Sequence, residues 1–200
     1  MTVNVVVNGV DEGKIYLQKV NDKTLIKVDS SQLSNGKFFL EDEIEQPEIY
    51  FLSLSGTDKI LQFFADKGNI DIETSLKSFG EKPKITGSKN QELFLNYTNK
   101  IKHYNDLKLE LSAKKNFYKG KKQLEHMLNL VDKKAIKYTY DFVLNNKDFE
   151  VSPYVTLTTL YKLNTKALDS VLQSLPENIL NSKYGKKLSS YVAEVKKEKK

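Results

Sequence analysis

The sequence contains no cysteine and no arginine; all 32 of its basic residues are lysine. Without cysteine, the chain cannot be a disulfide scaffold, a thiol enzyme or a protein with thiolate-bound zinc or iron–sulfur centres. Without arginine, it lacks the planar fork that binds guanine and phosphate through paired hydrogen bonds, which argues against a sequence-specific nucleic-acid reader. No apolar run approaches the ~20 residues that span a bilayer.

The charge is distributed unevenly along the 200 residues. Residues 1–88 hold 10 lysines and 14 acidic residues, a net charge of −4, whereas residues 89–200 hold 22 lysines and 12 acidic residues, a net charge of +10. Such asymmetry between halves indicates two structural units that attract each other electrostatically. With 39% hydrophobic and 29% charged residues, the chain has the composition of a soluble globular protein.

The acidic half has the pattern of a β protein. Val3, Val5 and Val7 alternate with other residues at the period of a half-buried strand. Asn35-Gly36 indicates a tight turn, and residues 66–69 (Asp-Lys-Gly-Asn) predict a hairpin turn between strands 61–65 and 70–73. About seven short strands with turns at near-regular spacing predict an antiparallel β-sandwich over residues 1–87.

The basic half has the pattern of a helical domain over residues 88–200. Ser88 is a candidate N-cap, and Gln91 three positions on completes a capping box. Two apolar stripes follow at spacings of three and four residues, which predicts two helices in an antiparallel hairpin. The stripes are Leu93, Tyr97, Ile101, Tyr104, Leu107 and Leu111, then Leu124, Leu128, Val131, Ala135, Tyr138 and Phe142.

Three shorter helices are predicted after the hairpin. Ser152-Pro153 is expected to be an N-cap followed by a first-turn proline, opening a helix through Leu163. Asn164 or Thr165 then caps a helix that ends before Pro176. A final helix includes Tyr184 and Leu188. The predicted fold class is therefore α+β, an N-terminal β-sandwich followed by an all-helical domain.

The tip of the hairpin, residues 114–122, mixes lysines with two aromatic residues. Phe117, Tyr118, Lys121 and Lys122 could contact a protein partner, a membrane surface or single-stranded nucleic acid. The competing interpretation is that the aromatic rings pack into the hairpin and the lysines are simply solvated. These four residues are the candidate partner-binding residues.

No residue pattern identifies a catalytic, cofactor or metal site. Asp66, Asn69 and Asp71 resemble calcium-binding loop residues but lack the EF-hand order, so turn geometry explains them better. His103 and His126 fall off the apolar stripes, which is typical of single surface histidines. Nucleotide-binding, zinc-protease and nucleophile-elbow motifs are not present in the sequence.

Several short segments resemble the β domain at the N-terminus of many Gram-negative envelope lipoproteins, in which a thioredoxin-like domain with a Cys-x-x-Cys pair often follows. The segments are Gly13-Lys14-Ile15-Tyr16-Leu17, Asp29-Ser30, Gly36-Lys37-Phe38-Phe39, Pro47-Glu48-Ile49-Tyr50-Phe51-Leu52 and Phe63-Phe64-Ala65-Asp66-Lys67-Gly68-Asn69-Ile70. Val151-Ser152-Pro153-Tyr154 and Ser182-Lys183-Tyr184-Gly185-Lys186 resemble the helical region of the same proteins.

The resemblance implies a periplasmic or outer-membrane protein, anchored by a lipid upstream of Met1, that binds a protein partner in the envelope. The expected function is non-catalytic and rests on protein–protein contacts. The alternative is the accessory N-terminal region of a thiol–disulfide oxidoreductase whose thioredoxin-like domain is missing. A third, weaker hypothesis is a basic binder of nucleic acid or of a membrane surface, without sequence preference.

Overall fold

A computed structural model describes residues 1–21, 24–34, 36–114 and 121–198. Two compact units are present, Met1–Glu92 and Leu93–Lys200. The predicted division between residues 87 and 88 lies just before the first helix, which begins at Lys89. The predicted α+β class is confirmed, because two β-sheets are followed in sequence by a helical region.

The first unit contains two four-stranded sheets. Their strands are β1 (Thr2–Asn8), β2 (Lys14–Asn21), β3 (Thr24–Gln32), β4 (Phe38–Glu41), β5 (Glu48–Leu54), β6 (Ile60–Ala65), β7 (Asn69–Ser75) and β8 (Lys84–Thr86). One sheet has the order β4-β1-β7-β8 and the other β3-β2-β5-β6. Neighbouring strands are antiparallel in every pair of these sheets except β1 and β7.

The parallel pair β1–β7 corrects one prediction from the sequence. These strands run side by side in register from Thr2 opposite Asn69 to Asn8 opposite Ser75. The turn at residues 66–69 therefore does not join a hairpin; it carries the chain from one sheet to the other. Gly68, with φ of 107°, supplies the change of direction, but turn chemistry does not specify which strand the next segment pairs with.

The two sheets share one hydrophobic core. Alternation buries Val3, Val5 and Val7 of β1, each no more than 3% exposed. In β5, only Phe51 and Ser53 are partly exposed, so both faces of this strand are largely covered. Both sheets contribute to a single cluster of buried side chains that includes Ile15, Leu17, Phe38, Leu40, Tyr50, Leu52, Leu61, Phe63, Ile70, Ile72 and Phe79.

The second unit begins with the predicted helical hairpin. Its helices are α1 (Lys89–Ala113), whose first turn belongs to the first unit, and α2 (Lys121–Asn145). Tyr104 lies near Tyr138, with ring centroids 6.2 Å apart, and the Lys108 Nζ lies 2.6 Å from Asp132 Oδ1. Four residues further along α1, from Tyr104 to Lys108, the contacted residue of α2 moves back from Tyr138 to Asp132. The two helices are therefore antiparallel, as predicted.

The helix predicted to start at Ser152-Pro153 begins earlier than expected. α3 spans Val151–Val155, and a π-helical segment, Thr156–Leu160, continues it. Ser152 is inside the helix, where its hydroxyl donates to the Asn146 carbonyl oxygen at 2.6 Å. The prediction that Ser152 is the N-cap is therefore wrong: the preceding loop supplies an acceptor that local sequence rules do not anticipate.

The remaining helices are α4 (Thr165–Ser174), α5 (Glu177–Leu180) and α6 (Lys183–Glu198). Asn164 is the N-cap of α4, because its side chain accepts a hydrogen bond from the Ala167 amide at 2.9 Å. The hairpin is thus followed by four short helices among the described residues, rather than the three predicted. The additional one, α5, has four residues, too few to produce an apolar period in the sequence.

Gly185 allows α6 to pass very close to the end of α5. A Cβ at this position would overlap the Ile179 carbonyl oxygen and would lie 2.7 Å from the Leu180 carbonyl oxygen. Both obstacles are backbone atoms, which cannot swing aside as a flexible side chain can. The contact therefore requires glycine.

Replacing Gly185 should test this close approach. Gly185→Ala is expected to lower the free energy of unfolding by about 1–3 kcal/mol, as overpacking does elsewhere. Urea denaturation of the whole chain measures this loss. Ser190→Ala, at an exposed position of the same helix, should change it by less than about 0.5 kcal/mol. Equal denaturation midpoints for Gly185→Ala and the parent chain would contradict the interpretation.

Candidate functional site

The hairpin tip was predicted to carry the partner-binding residues. Phe117 and Tyr118 lie outside the described residues, so their role stays a prediction. Lys121 and Lys122 open α2 and are exposed. The Lys121 Nζ lies 3.7 Å from Glu125 Oε1, a solvent-screened pair one turn along the helix.

The part of the hairpin next to the tip leaves much apolar surface exposed. We define the distal hairpin as residues 98–114 and 121–138. None of these residues is buried; the predicted stripes reach only intermediate exposure. Large apolar side chains point into solvent as well: Leu109 is 70% exposed, Ile136 45%, Leu130 39% and Met127 37%. Two helices alone can cover only one stripe on each other, so further apolar area stays open to another molecule.

The other end of the hairpin is firmly packed by aromatic rings. Tyr97 lies between Tyr138 and Phe142, with ring centroids 6.2 and 4.9 Å apart, respectively. The Tyr97 hydroxyl lies 3.1 Å from Thr159 Oγ1 in the π-helical segment. Burial raises the pKa of the Tyr138 phenol, and the neighbouring Tyr104 and Tyr97 raise it further. The Tyr138 hydroxyl therefore remains neutral, and its ring serves packing.

A half-buried charge cluster lies in the β unit. Asp42 Oδ2 accepts hydrogen bonds from the Lys19 Nζ at 2.5 Å and from the Tyr50 hydroxyl at 2.6 Å. Glu48 Oε1 lies 3.9 Å from the same Lys19 Nζ. Lys19 and Tyr50 face each other on β2 and β5, so the sheet register brings this cluster together. No local sequence pattern predicts the cluster, because Lys19 and Asp42 lie 23 positions apart in the chain.

The environment of Asp42 lowers the pKa of its carboxyl group below the ordinary value of 3.8. Burial alone would raise the pKa. Hydrogen bonds from Lys19 and Tyr50, the positive charge of Lys19 and a hydrogen bond from the backbone of Glu43 together outweigh that effect. The carboxylate is thus held ionised, as a structural ion pair requires.

The start of α1 is fixed by side chains of the β unit and of its own first turn. Ser88 is the predicted N-cap: its Oγ accepts from the Gln91 amide at 2.9 Å. The second half of the capping box is absent. Instead of returning to Ser88, the buried Gln91 side chain accepts a hydrogen bond from the Phe64 amide at 2.7 Å. β6 is an edge strand, so this side chain satisfies a backbone donor that has no partner strand on that side.

Asp66 also belongs to this cap. Its carboxylate accepts hydrogen bonds from the Lys89 amide at 2.7 Å and from the Asn90 side-chain nitrogen at 2.8 Å. Both carboxylate oxygens of Asp66, one of the three residues considered as calcium ligands, are thus already engaged by protein donors. Among residues 1–21, 24–34, 36–114 and 121–198, no three His, Cys, Asp or Glu side chains converge as a metal site. His103 and His126 are exposed on the two helices of the hairpin.

The β unit is similar to a known but uncharacterised domain. Residues 1–94 match the family described as Domain of unknown function (DUF4369). The match covers β1 to β8 and the first turn of α1. It confirms the predicted resemblance of this unit to an uncharacterised β domain. No curated protein and no solved structure matches the chain. Among the residues that the structure describes, no helix is long and apolar enough to cross a membrane.

The ion pair at Asp42 should make stability depend on pH. Since its pKa is lower in the folded chain than in the unfolded one, Asp42 stabilises the fold above about pH 4, and this contribution is lost as the pH falls through the folded-state pKa. Asp42→Asn should therefore cost about 1–3 kcal/mol at neutral pH, with a smaller difference in acid. Chemical denaturation at several pH values measures both.

Asp58→Asn is the matched control for this experiment, because Asp58 is an exposed carboxylate of the same unit. It should leave the stability at each pH within about 0.5 kcal/mol of the parent chain. If Asp42→Asn gave the same constant difference at every pH, the carboxylate charge would not be the stabilising feature.

Proposed function

We propose that this protein is a non-catalytic, lipid-anchored component of the Gram-negative cell envelope that works by contacting another protein. The proposed contact with another protein is supported by the distal hairpin, in which Leu109 is 70% exposed and no described residue is buried. An exposed apolar surface of this kind on a soluble protein marks an interaction site.

The charge of the distal hairpin supports a protein partner of acidic character. The described residues of the distal hairpin include nine lysines and four acidic side chains. Lysines around an apolar surface mainly speed the encounter with an oppositely charged partner, while the apolar side chains supply the binding free energy. Both components are present along the same two helices.

The polar clusters of the β unit support a binding role rather than catalysis. Asp42 is occupied by Lys19 and Tyr50, and Asp66 by donors at the start of α1. Gln91 holds the edge strand β6. Each of these side chains is committed to holding the fold together, which leaves little reason to assign it to a reaction.

The proposed location rests on the resemblance of the short sequence segments to envelope lipoproteins. Its test is to express the complete native reading frame, label cells with radioactive palmitate and separate inner membrane, outer membrane, periplasm and cytosol. A labelled product in the envelope fractions is the expected result. An unlabelled product in the cytosol would overturn this part of the proposal.

The contact surface can be tested at Leu109. Leu109→Glu should reduce the amount of partner crosslinked to the protein in intact cells by about tenfold, equivalent to 1.4 kcal/mol of binding. Its thermal midpoint should stay within a few degrees of the parent chain, because the side chain is largely in water. His103→Glu is the control: it adds the same charge at an exposed position about 120° around α1.

Two outcomes would count against the distal hairpin as the contact surface. If Leu109→Glu and His103→Glu lost the same amount of crosslinking, the added charge, and not the apolar position, would be responsible. A large fall in thermal midpoint for Leu109→Glu alone would show that Leu109 supports the fold instead of a partner.

The alternative function is an accessory N-terminal region of a thiol–disulfide oxidoreductase, which the resemblance also supports. A native reading frame with a thioredoxin-like domain and a Cys-x-x-Cys pair downstream would favour it. The full-length product should then reduce insulin. The chain of 200 residues should not, since it has no thiol to attack a disulfide.

A further inference from the structure

The outer face of the sheet β4-β1-β7-β8 carries an ordered row of side chains. Strand register places Phe39, Asn4, Asp71 and Thr86 side by side on β4, β1, β7 and β8. Their neighbours in sequence, such as Val3, Val5 and Ile72, point into the core, so alternation directs this row outward. The row crosses all four strands of the sheet.

Phe39 is an exposed aromatic platform at one end of this row. It is 58% exposed, between Phe38 and Leu40, which are buried. The backbone beneath it is held from β3, because the Phe39 amide donates to Ser31 Oγ at 3.1 Å and the Glu41 amide to Asp29 Oδ2 at 2.8 Å. The ring is therefore presented to solvent by a rigid backbone.

Hydrogen bonds also fix the orientation of the polar side chains beside Phe39 before any ligand binds. The Asn4 Nδ2 donates to Asp71 Oδ1 at 2.8 Å, and the Thr2 hydroxyl donates to Asn69 Oδ1 at 2.6 Å. For Asn4 Oδ1 and Asp71 Oδ2, the structure records no hydrogen bond among the described residues. A carboxylate or amide can bind more than one partner, so a ligand lying on the sheet would meet both donors and acceptors.

Two depressions along this face meet at Asn4. One, of about 190 Å³, is lined by β1, β7 and β8 and includes Asp71, Glu73 and Lys84. The other, of about 400 Å³, reaches Phe39 and Asp29 at the opposite edge of the sheet. We call the two together the outer groove. Its size is that of a small-ligand site, open enough for an extended molecule.

The charge and polarity of the outer groove narrow the choice of ligand. Its lining holds four acidic side chains, Asp29, Glu41, Asp71 and Glu73, and two lysines, Lys37 and Lys84, which disfavours phosphates, nucleic acids and acidic glycans. A protein interface would need an apolar centre depleted of charge, which this face does not offer. A peptide cannot add a strand here either, because a sheet face has no unpaired backbone edge.

We infer that the outer groove binds a neutral oligosaccharide. The apolar C–H face of a sugar ring stacks on Phe39, and its hydroxyl groups, each both a donor and an acceptor, bond to Asn4, Asn69 and Asp71. The outer groove is separate from the contact surface proposed on the distal hairpin, since it consists only of residues of the first unit.

The test is a titration of the isotope-labelled full chain with neutral hexasaccharides of glucose, xylose, mannose and N-acetylglucosamine, followed by amide chemical shifts. Saturable shifts are expected for at least one sugar, centred on β1, β4 and β7. Phe39→Ala should weaken that binding about tenfold or more. Ile60→Ala is the matched control, since Ile60 is an apolar side chain, 50% exposed, on the other sheet; it should change the affinity less than about twofold.

Asn4→Ala provides a second variant, so that the result does not depend on one substitution. It should also weaken binding while the amide spectrum shows a folded chain. No saturable shift from any hexasaccharide at about 10 mM, above the ~1 mM dissociation constant of a weak site, would overturn the inference. So would undiminished sugar binding by a folded Phe39→Ala chain, or shifts on these strands caused by a lysine hexapeptide and by none of the sugars.

Discussion

The parallel pairing of β1 with β7 is the contact on which the β unit depends. It joins the first strand to one that lies 67 positions further along the chain and places β1 in the middle of its sheet, between β4 and β7. That central place explains why Val3, Val5 and Val7 are almost fully buried. It also aligns Asn4 with Asp71, so the outer groove exists only when this long-range pair has formed. Loop closure over such a separation costs entropy that the shared core must offset.

The charged side chains of the β unit mostly hold its irregular parts in place. Asp42 anchors the segment after β4 to β2 and β5, and Asp66 and Gln91 connect β6 and the turn that follows it to the start of α1. Leaving the buried Phe64 amide without a partner would cost more than the net value of an ordinary hydrogen bond. This explains why acidic residues that look like loop residues in the sequence have defined partners in the structure.

The helical hairpin shows a gradient of burial along its length. Near Tyr97 and Phe142, aromatic rings and the π-helical segment pack closely, whereas residues further along the two helices are at most half-buried. Helices gain most of their stability from packing an apolar face against other elements. None of the described residues of the distal hairpin is buried, and so this part of the fold gains the most from a partner. The proposed contact surface therefore lies where the fold has the least packing of its own.

Local rules were sufficient where the deciding interactions are close in sequence. Alternation of valines predicted β1, apolar stripes predicted α1 and α2, and the Ser88 and Asn164 caps were recognisable because each bonds to an amide three residues later. The sequence by itself thus determined the α+β class, the order of the main elements and the starts of α1 and α4. It could not determine where the turn at residues 66–69 leads, since a turn sets direction but not the partner strand.

Only the tertiary structure decided which distant residues meet. Gln91 bonds to Phe64 rather than Ser88, and Ser152 to Asn146 rather than to its own helix, because an acceptor or donor from another segment competes with the local one. The same holds for the candidate sites: lysines and aromatics at the hairpin tip are visible in the sequence, but the row from Phe39 to Thr86 depends on sheet register. Register is set by burial of the opposite face, a property of the whole sandwich that no single segment encodes.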